Sequence, residues 1–147
     1  MPSTCFEDIP VGWHQDVGHW TLLAEDIIEF ARQWDPQPFH IDEEAAKKSI
    51  YGGLTASSLQ LFAICTRLFF DQASAIAVLA MLGKDNVRFP NPARAGCELH
   101  YKTECMEARA SKSKTDRGII RLSDTLYDES GATVLSQEVS LLVARRS

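Results

Sequence analysis

The segment that most restricts the fold is a long apolar stretch in the middle of the chain, residues 55–71, TASSLQLFAICTRLFFD. Drawn as a helix, it carries apolar residues on most of its faces, and such a helix is stable only when it is deeply buried. Strand-like segments rich in β-branched residues follow it, separated by turn signals at residues 90–92, 114–118 and 128–131. Helices first and antiparallel strands afterwards is the α+β pattern. We therefore predict an antiparallel sheet wrapped around this helix.

The beginning of the chain is predicted to supply a strand and a helix. Residues 11–22 mix Val, His, Trp and Thr, as an opening strand does. Residues 22–34 then predict a helix, because apolar side chains recur at helical spacing at Ile27, Phe30, Ala31 and Trp34. The helix is expected to end at Asp35, because the residue before a proline avoids the helical region.

The next segment is predicted to be a stiff loop followed by a short helix. Residues 36–41, PQPFHI, contain two prolines, which fix the backbone and remove hydrogen-bond donors. Asp42 is a suitable N-cap for a short helix over EEAAKK. Residues 73–84 fit helix and strand equally well.

Composition limits the classes of protein to which the chain can belong. A length of 147 residues predicts one domain spanning residues 1–147. The net charge of -5 argues against a nucleic-acid partner, which requires a basic face. The first ten residues lack the features of a secretory signal, and polar residues interrupt the longest apolar stretch, so we predict a cytoplasmic protein without a membrane span. Cysteine and histidine spacings typical of a zinc site are missing, so no metal is expected.

The segment WDPQPFHID is the strongest candidate for a catalytic site. Asp35 and His40 are five residues apart across two prolines, so a stiff loop is expected to hold a carboxylate and an imidazole at a set separation. Two such groups can share a water, one accepting its proton while the other orients it or protonates the product. The alternative is that Asp35 caps a neighbouring turn and His40 is an ordinary loop histidine. On spacing alone, the alternative is favoured.

The start of the long helix is a second candidate site. Gly52 and Gly53 permit unusual backbone dihedrals or close approach of a ligand. Thr55, Ser57 and Ser58 then open the helix, whose first N–H groups have no internal partner and lie at the positive end of its dipole. These groups can hold a thioester oxygen as negative charge develops on it. Ordinary capping by Thr or Ser explains the same residues.

Together these motifs resemble a known family. The run DPQPFHIDEEAAKKSIYGGLTASS, residues 35–58, resembles the signature of MaoC-like acyl dehydratases and (R)-specific enoyl-CoA hydratases, which have the hot-dog fold. The preceding helix AEDIIEFARQWD and the segment NVRFPNPARAGCEL are also similar to that family, so the resemblance runs from about Leu23 to Leu99. This chain departs from the family pattern at Gln37, where relatives often have Asn, and at Ser58, where they usually have Gly.

The resemblance implies an activity and a set of site residues. Asp35 and His40 would bind and activate a water that adds to a trans-2-enoyl thioester, giving a (3R)-3-hydroxyacyl product. The backbone N–H of Ser58 would bind the thioester carbonyl, with Ser57 and Gly53 beside it. Thr66 falls where relatives can carry a hydroxyl that supports the carboxylate.

The same resemblance implies partners for this chain, and it leaves two rival functions open. The resemblance implies a homodimer, with the site near the subunit interface, and no metal or redox cofactor. Coenzyme A or the pantetheine arm of a carrier protein would be part of the substrate. Three basic residues are candidates for contacts with coenzyme A phosphates, although solvated surface is the alternative: Lys84, Arg88 and Arg94. The rival functions are a hot-dog acyl-CoA thioesterase and a non-catalytic acyl-binding module.

Overall fold

The computed structural model of the protein describes residues 4–73 and 75–146. Within these residues a short 3-10 turn, Phe6–Asp8, precedes strand β1, His14–Thr21. Four helices follow: α1, Ala24–Trp34; α2, Pro38–Ile41; α3, Glu43–Lys47; and α4, Ser58–Gln72. Four further strands complete the described chain: β2, Val78–Arg88; β3, Glu98–Ala110; β4, Arg117–Tyr127; and β5, Thr133–Ala144.

The strands form one antiparallel sheet in the order β1-β3-β4-β5-β2. The three central strands are consecutive in the sequence, as expected for strands joined by short turns. β1 and β2 form the two edges, because each pairs with a single neighbour. The predicted antiparallel sheet is therefore confirmed.

Helix α4 lies against one face of this sheet. Alternate residues of β4 are buried along its whole length, so one face of the strand is turned to the core. The main core cluster combines four side chains of α4 with six from the sheet: Leu61, Ile64, Cys65, Leu68, Val17, Leu99, Tyr101, Leu126, Val134 and Leu135. A sheet packed on a long central helix is the hot-dog arrangement, so the predicted fold class is confirmed.

A short polar row crosses the buried face of the sheet. Thr103 pairs in register with Asp124, which in turn pairs with Gln137. The Thr103 hydroxyl donates to Asp124 Oδ1 over 2.8 Å, and Gln137 Nε2 donates to Asp124 Oδ2 over 3.0 Å. Burial raises the pKa of Asp124 above its ordinary value, although the hydrogen bonds from its neighbours oppose the rise.

Three segments have a structure that differs from the sequence prediction or goes beyond it. The segment predicted as a loop contains a short helix, α2, because Pro38 occupies the first helical position, where a missing N–H has no cost. The ambiguous segment contains the beginning of β2, which pairs with β5. α4 begins at Ser58 and not at Thr55, because Leu54 and Ala56 form hydrogen bonds with residues 93–95.

Helices α1 and α4 are less buried than the sequence predicted. In α1, Ile27 and Ala31 are buried, but Trp34 at the end of the helix is 62% exposed. α4 is not buried on all sides, since Phe70 is 79% and Leu59 is 45% exposed. Across the described chain, the helices are too short or too polar to cross a lipid bilayer.

Candidate active site

Three helix ends bring the predicted site residues together. Asp35 follows the last residue of α1, and its N–H closes that helix by donating to Ala31 over 2.8 Å. His40 lies in the short helix α2, which begins at Pro38. Ser57 is the N-cap of α4. The site is therefore built where the chain leaves one helix, makes a proline-directed turn and later enters the central helix.

Asp35 and His40 face each other, which is the arrangement expected of the catalytic interpretation of this segment. Asp35 Oδ2 lies 3.5 Å from His40 Nε2. The imidazole is almost fully buried, whereas 26% of the carboxylate side chain is exposed. A carboxylate with partial access to solvent beside a buried imidazole can hold one water between them.

The second nitrogen of the imidazole is fixed by a backbone carbonyl. His40 Nδ1 lies 2.6 Å from the carbonyl oxygen of Thr55. Since a carbonyl can only accept, Nδ1 must carry the proton in this bond. In the neutral ring, Nε2 is then the unprotonated nitrogen that faces Asp35. This contact fixes both the orientation and the tautomer that a proton acceptor requires.

The Thr55 carbonyl is itself held by a short backbone ladder. The N–H of Ala56 donates to Ala93 over 2.9 Å, and the N–H of Ala95 donates to Leu54 over 3.0 Å. Thr55 therefore occupies the position between two ladder bonds, where its own carbonyl points away from residues 93–95. That geometry leaves the carbonyl free to accept from His40.

Ser57 holds the carboxylate. Its hydroxyl donates to Asp35 Oδ2 over 2.7 Å, and its Oγ accepts from the N–H of Leu59 over 3.2 Å. The residue is fully buried, so its hydroxyl is shielded from bulk water. Ser57 was predicted to lie beside the thioester, but the structure gives its side chain a direct bond to Asp35.

The predicted oxyanion position lies next to this contact. Ser58 is the first residue of α4, so its N–H has no acceptor within the helix. It is partly buried, as is Gly53, where an added Cβ would lie 3.8 Å from a guanidinium nitrogen of Arg94. The structure therefore brings Asp35, His40, Ser57 and Ser58 to one place at the start of α4.

The remaining predicted residues lie elsewhere or have internal partners. Thr66 is exposed on α4, and the hydroxyl that supports the carboxylate belongs to Ser57. Lys84 Nζ contacts Gln137 Oε1 over 3.3 Å. Arg94 donates to the Tyr51 carbonyl over 2.5 Å, which ties it to the loop before α4. Arg88 is exposed, and its guanidinium donates to the carbonyl of the preceding residue.

Sequence reasoning missed two features of the site. The Thr55 carbonyl is a backbone group, and its role depends on pairing with residues 93–95, which no local pattern reveals. The sequence indicated Gln60 only as a polar interruption of the apolar stretch, yet the residue is only 6% exposed and lies one helical turn from Ser57. A glutamine inside an otherwise apolar helix was the available signal.

Cysteine chemistry is not favoured at this site. Burial raises the pKa of the Cys65 thiol to about 12 and that of Cys97 to about 11. Such thiols remain protonated at neutral pH, and the protonated form is a poor nucleophile. Within the described residues, no group of three or more His, Cys, Asp and Glu side chains is arranged to hold a metal ion.

Comparison with known proteins identifies the family. The model of the MaoC like domain matches residues 11–126. The crystal structure of a MaoC-like dehydratase from Rhodospirillum rubrum is 36% identical, with a TM-score of 0.89 over 97% of this chain and 98% of that one. The uncharacterized protein YdeM of Bacillus subtilis is 28% identical over 125 residues, which are 84% of this chain and 87% of that protein.

A more distant structure shares the fold. The R-hydratase PhaJ1 from Pseudomonas aeruginosa is 19% identical, with a TM-score of 0.80 over 99% of this chain and 88% of that chain. The family model covers most of the chain, and its range includes Asp35, His40 and Ser57. The chain therefore belongs to the MaoC-like dehydratase family.

Proposed function

We propose that this protein hydrates trans-2-enoyl thioesters to (3R)-3-hydroxyacyl thioesters and catalyses the reverse dehydration. The observation that carries the proposal is the pair Asp35 and His40, 3.5 Å apart, each held by its own partner. Ser57 orients the carboxylate, and the Thr55 carbonyl orients the imidazole. Family membership and the fold shared with an R-hydratase support the same reaction class.

The geometry supports a definite path for the proton. Water held between the two side chains attacks C3 of the enoyl group while His40 Nε2 takes one of its protons. The double-bond electrons move toward the thioester, where the Ser58 N–H stabilises the oxyanion. The proton then passes from the imidazolium to the adjacent Asp35 carboxylate and on to C2. One water thus supplies both the hydroxyl on C3 and the hydrogen on C2.

The proposed assembly is a homodimer. β2 is an edge strand of the sheet, paired on one side only, and it carries exposed apolar side chains. Such an edge favours pairing with the same strand of a second copy. Two concavities of the described surface, one along α1 and one across β1, β3 and β4, contain neither Asp35 nor His40. A second copy would provide further walls for the substrate, consistent with a site near the interface.

Incubation with crotonyl-CoA tests the reaction. We expect loss of the enoyl absorbance without release of free thiol, because water adds to C3 and the thioester survives. Release of thiol at the same rate would identify a thioesterase and contradict the proposal. Tight binding of the thioester with no change in either signal would identify a binding module and also contradict it.

A further inference from the structure

Gln60 is the one described residue with a buried side-chain polar atom that lacks a hydrogen-bond partner. It is the third residue of α4, and only 6% of its surface is exposed. Its Oε1 is buried and has no partner within the described chain. Buried polar atoms nearly always have a partner, since leaving one unmade costs free energy. An unpaired acceptor at this position therefore indicates a partner from outside the protein chain, such as a water or a ligand group.

The other buried polar side chains of the described core do not leave a buried atom without a hydrogen-bond partner. Asp124 is similarly buried, yet both of its oxygens accept hydrogen bonds, from Thr103 and Gln137. A glutamine three residues after an N-cap serine commonly accepts a hydrogen bond from the backbone N–H of that serine. For Gln60, this donor would be the N–H of Ser57. The structure does not close that bond, since Oε1 remains unpaired.

Gln60 lies on the same helical turn as the candidate active site. Its backbone N–H donates to the Ser57 carbonyl over 3.0 Å, and the Ser57 hydroxyl holds Asp35. Three helical residues rise about 4.5 Å along the axis, roughly the length of a few methylene groups. The neighbouring buried residues of α4, including Leu61 and Ile64, are apolar. Gln60 is therefore the one polar residue on this buried face of α4.

We infer that Gln60 selects acyl chains that carry a hydroxyl group a few carbons beyond C3. This inference rests on the proposed function, because it assumes that the acyl group of a thioester occupies this face. A hydroxyl can both donate and accept, so it pairs with the carboxamide in either orientation of the amide. A plain hydrocarbon leaves Oε1 unpaired, and a charged group would be buried without a counter-charge.

Binding of saturated acyl-CoAs tests the inference without requiring turnover. Titration calorimetry would compare 6-hydroxyhexanoyl-CoA with hexanoyl-CoA and 7-hydroxyheptanoyl-CoA with heptanoyl-CoA. We expect at least one hydroxylated chain to bind the wild-type protein about tenfold more tightly than its plain counterpart, the worth of one hydrogen bond. Gln60→Met should reduce this ratio to about one. Gln60→Leu repeats the test with a different apolar shape.

Leu68→Met is the matched control, since it changes a buried apolar residue of α4 about 12 Å further along the helix without changing polarity, and it should keep the ratio. Equal binding of both chains to the wild-type protein would overturn the inference. So would a preference that survives Gln60→Met, or a variant that only lowers Tm, as expected for a helix cap. Hydration of trans-2-hexenoyl-CoA is measured separately. Its absence alongside a Gln60-dependent binding preference would reject the proposed reaction and not the hydroxyl selectivity.

Discussion

At the residue scale, one hydroxyl group joins the Asp35 carboxylate to the central helix. Ser57 Oγ donates to Asp35 and accepts from the N–H of Leu59. The residue has no exposed surface, so its Oγ is shielded from bulk water and bonds to these two groups. A single side chain therefore caps α4 and sets the position of the carboxylate.

Ser57→Ala is expected to separate these two effects. Loss of the donor should lower kcat for hydration roughly 10- to 100-fold, because the carboxylate is no longer held in its reactive position. Loss of the cap should reduce the free energy of unfolding by about 1 kcal/mol. Steady-state kinetics and urea unfolding measure the two quantities.

Ser58→Ala is the control, because only the N–H of Ser58 is assigned a role and the substitution keeps it. We expect nearly unchanged kcat in this variant. If Ser57→Ala loses stability but keeps its kcat, the hydroxyl is only a cap. If Ser58→Ala loses activity, its hydroxyl has a role that the site described above does not include.

The residues of the site were predictable to different degrees. Asp35 and His40 were predicted because they lie five residues apart in a proline-containing segment and match a family motif. The bond between Ser57 and Asp35 joins residues 22 apart. The serine was identified, but its partner depends on how α1 and α4 pack, which the sequence pattern does not reveal.

At the scale of elements, the loop before α4 is a positioning element for His40. Its backbone pairs with residues 93–95, and Arg94 also donates to the carbonyl of Tyr51. These contacts fix the strand-like segment whose Thr55 carbonyl holds the imidazole. Arg94 was predicted to contact a coenzyme A phosphate, and its internal bond gives it a second possible role.

Arg94→Met distinguishes the two roles. If the guanidinium mainly holds the loop, kcat/KM should fall to the same extent for coenzyme A and pantetheine thioesters, because pantetheine lacks the phosphates. We expect a decrease of about tenfold with either substrate, the worth of one charge-assisted hydrogen bond. Arg88→Met is the control for phosphate binding and should affect only the coenzyme A thioester. A loss confined to coenzyme A in Arg94→Met would contradict the loop-holding role.

The polar row on the sheet predicts an unusual pH dependence of stability. Burial raises the folded-state pKa of Asp124 above its ordinary value of 3.8. Above pH 3.8 the unfolded chain releases this proton while the folded chain retains it. The stability contributed by protonated Asp124 is therefore complete at low pH and is lost as pH rises through the folded-state pKa.

Asp124→Asn should remove this dependence. Urea unfolding from pH 3 to 8 is expected to show that wild-type stability, relative to the variant, falls with rising pH. Asp128→Asn is the opposite control, because the Ser130 hydroxyl and nearby N–H groups lower the pKa of Asp128. Relative to that variant, wild-type stability should fall as pH decreases through the acid range. Parallel curves for wild type and Asp124→Asn would contradict the assigned burial effect.

Element types were more predictable than their ends. The periodicity of residues 22–34 and the alternation in the late strands indicated α1, β3, β4 and β5 correctly. The short helix α2 was missed, because two prolines in six residues favour a loop as strongly as a helix start. The beginning of α4 was placed too early, because the pairing of residues 54–56 is a tertiary contact.

At the scale of the whole molecule, the exposed edge strand predicts a dimer. Four apolar residues of β2 are between 40% and 54% exposed: Val78, Leu79, Met81 and Leu82. The same strand lies at the edge of the sheet. A charged side chain in this edge should oppose pairing with a second copy.

Leu82→Glu is expected to shift the protein from dimer to monomer in sedimentation-velocity experiments. Ile50→Glu is the control, because Ile50 is 95% exposed and lies outside β2, so it should leave the dimer intact. We also expect reduced hydration by the monomeric variant if the second copy completes the site. A monomeric wild-type protein, or a Leu82→Glu variant that remains dimeric, would contradict this assembly.

The overall fold could be predicted because one long apolar helix and a set of late strands leave few ways to bury both. Burial of α4 was overestimated, since apolar composition does not distinguish a face packed in the core from one left exposed. Phe70, at 79% exposure, shows the difference. An exposed apolar surface and a buried core can have the same amino-acid composition, so composition alone does not separate them.

The central claim is that Asp35 and His40 act on the same water. The direct test is the hydration rate of crotonyl-CoA by the wild-type protein, Asp35→Asn, His40→Ala and the double variant. Each single substitution should lower kcat/KM by about 100-fold or more. The double variant should lose much less than the product of the two effects, because each change alone already disables the shared step. Near-normal turnover in either single variant, or fully multiplicative losses, would contradict the claim.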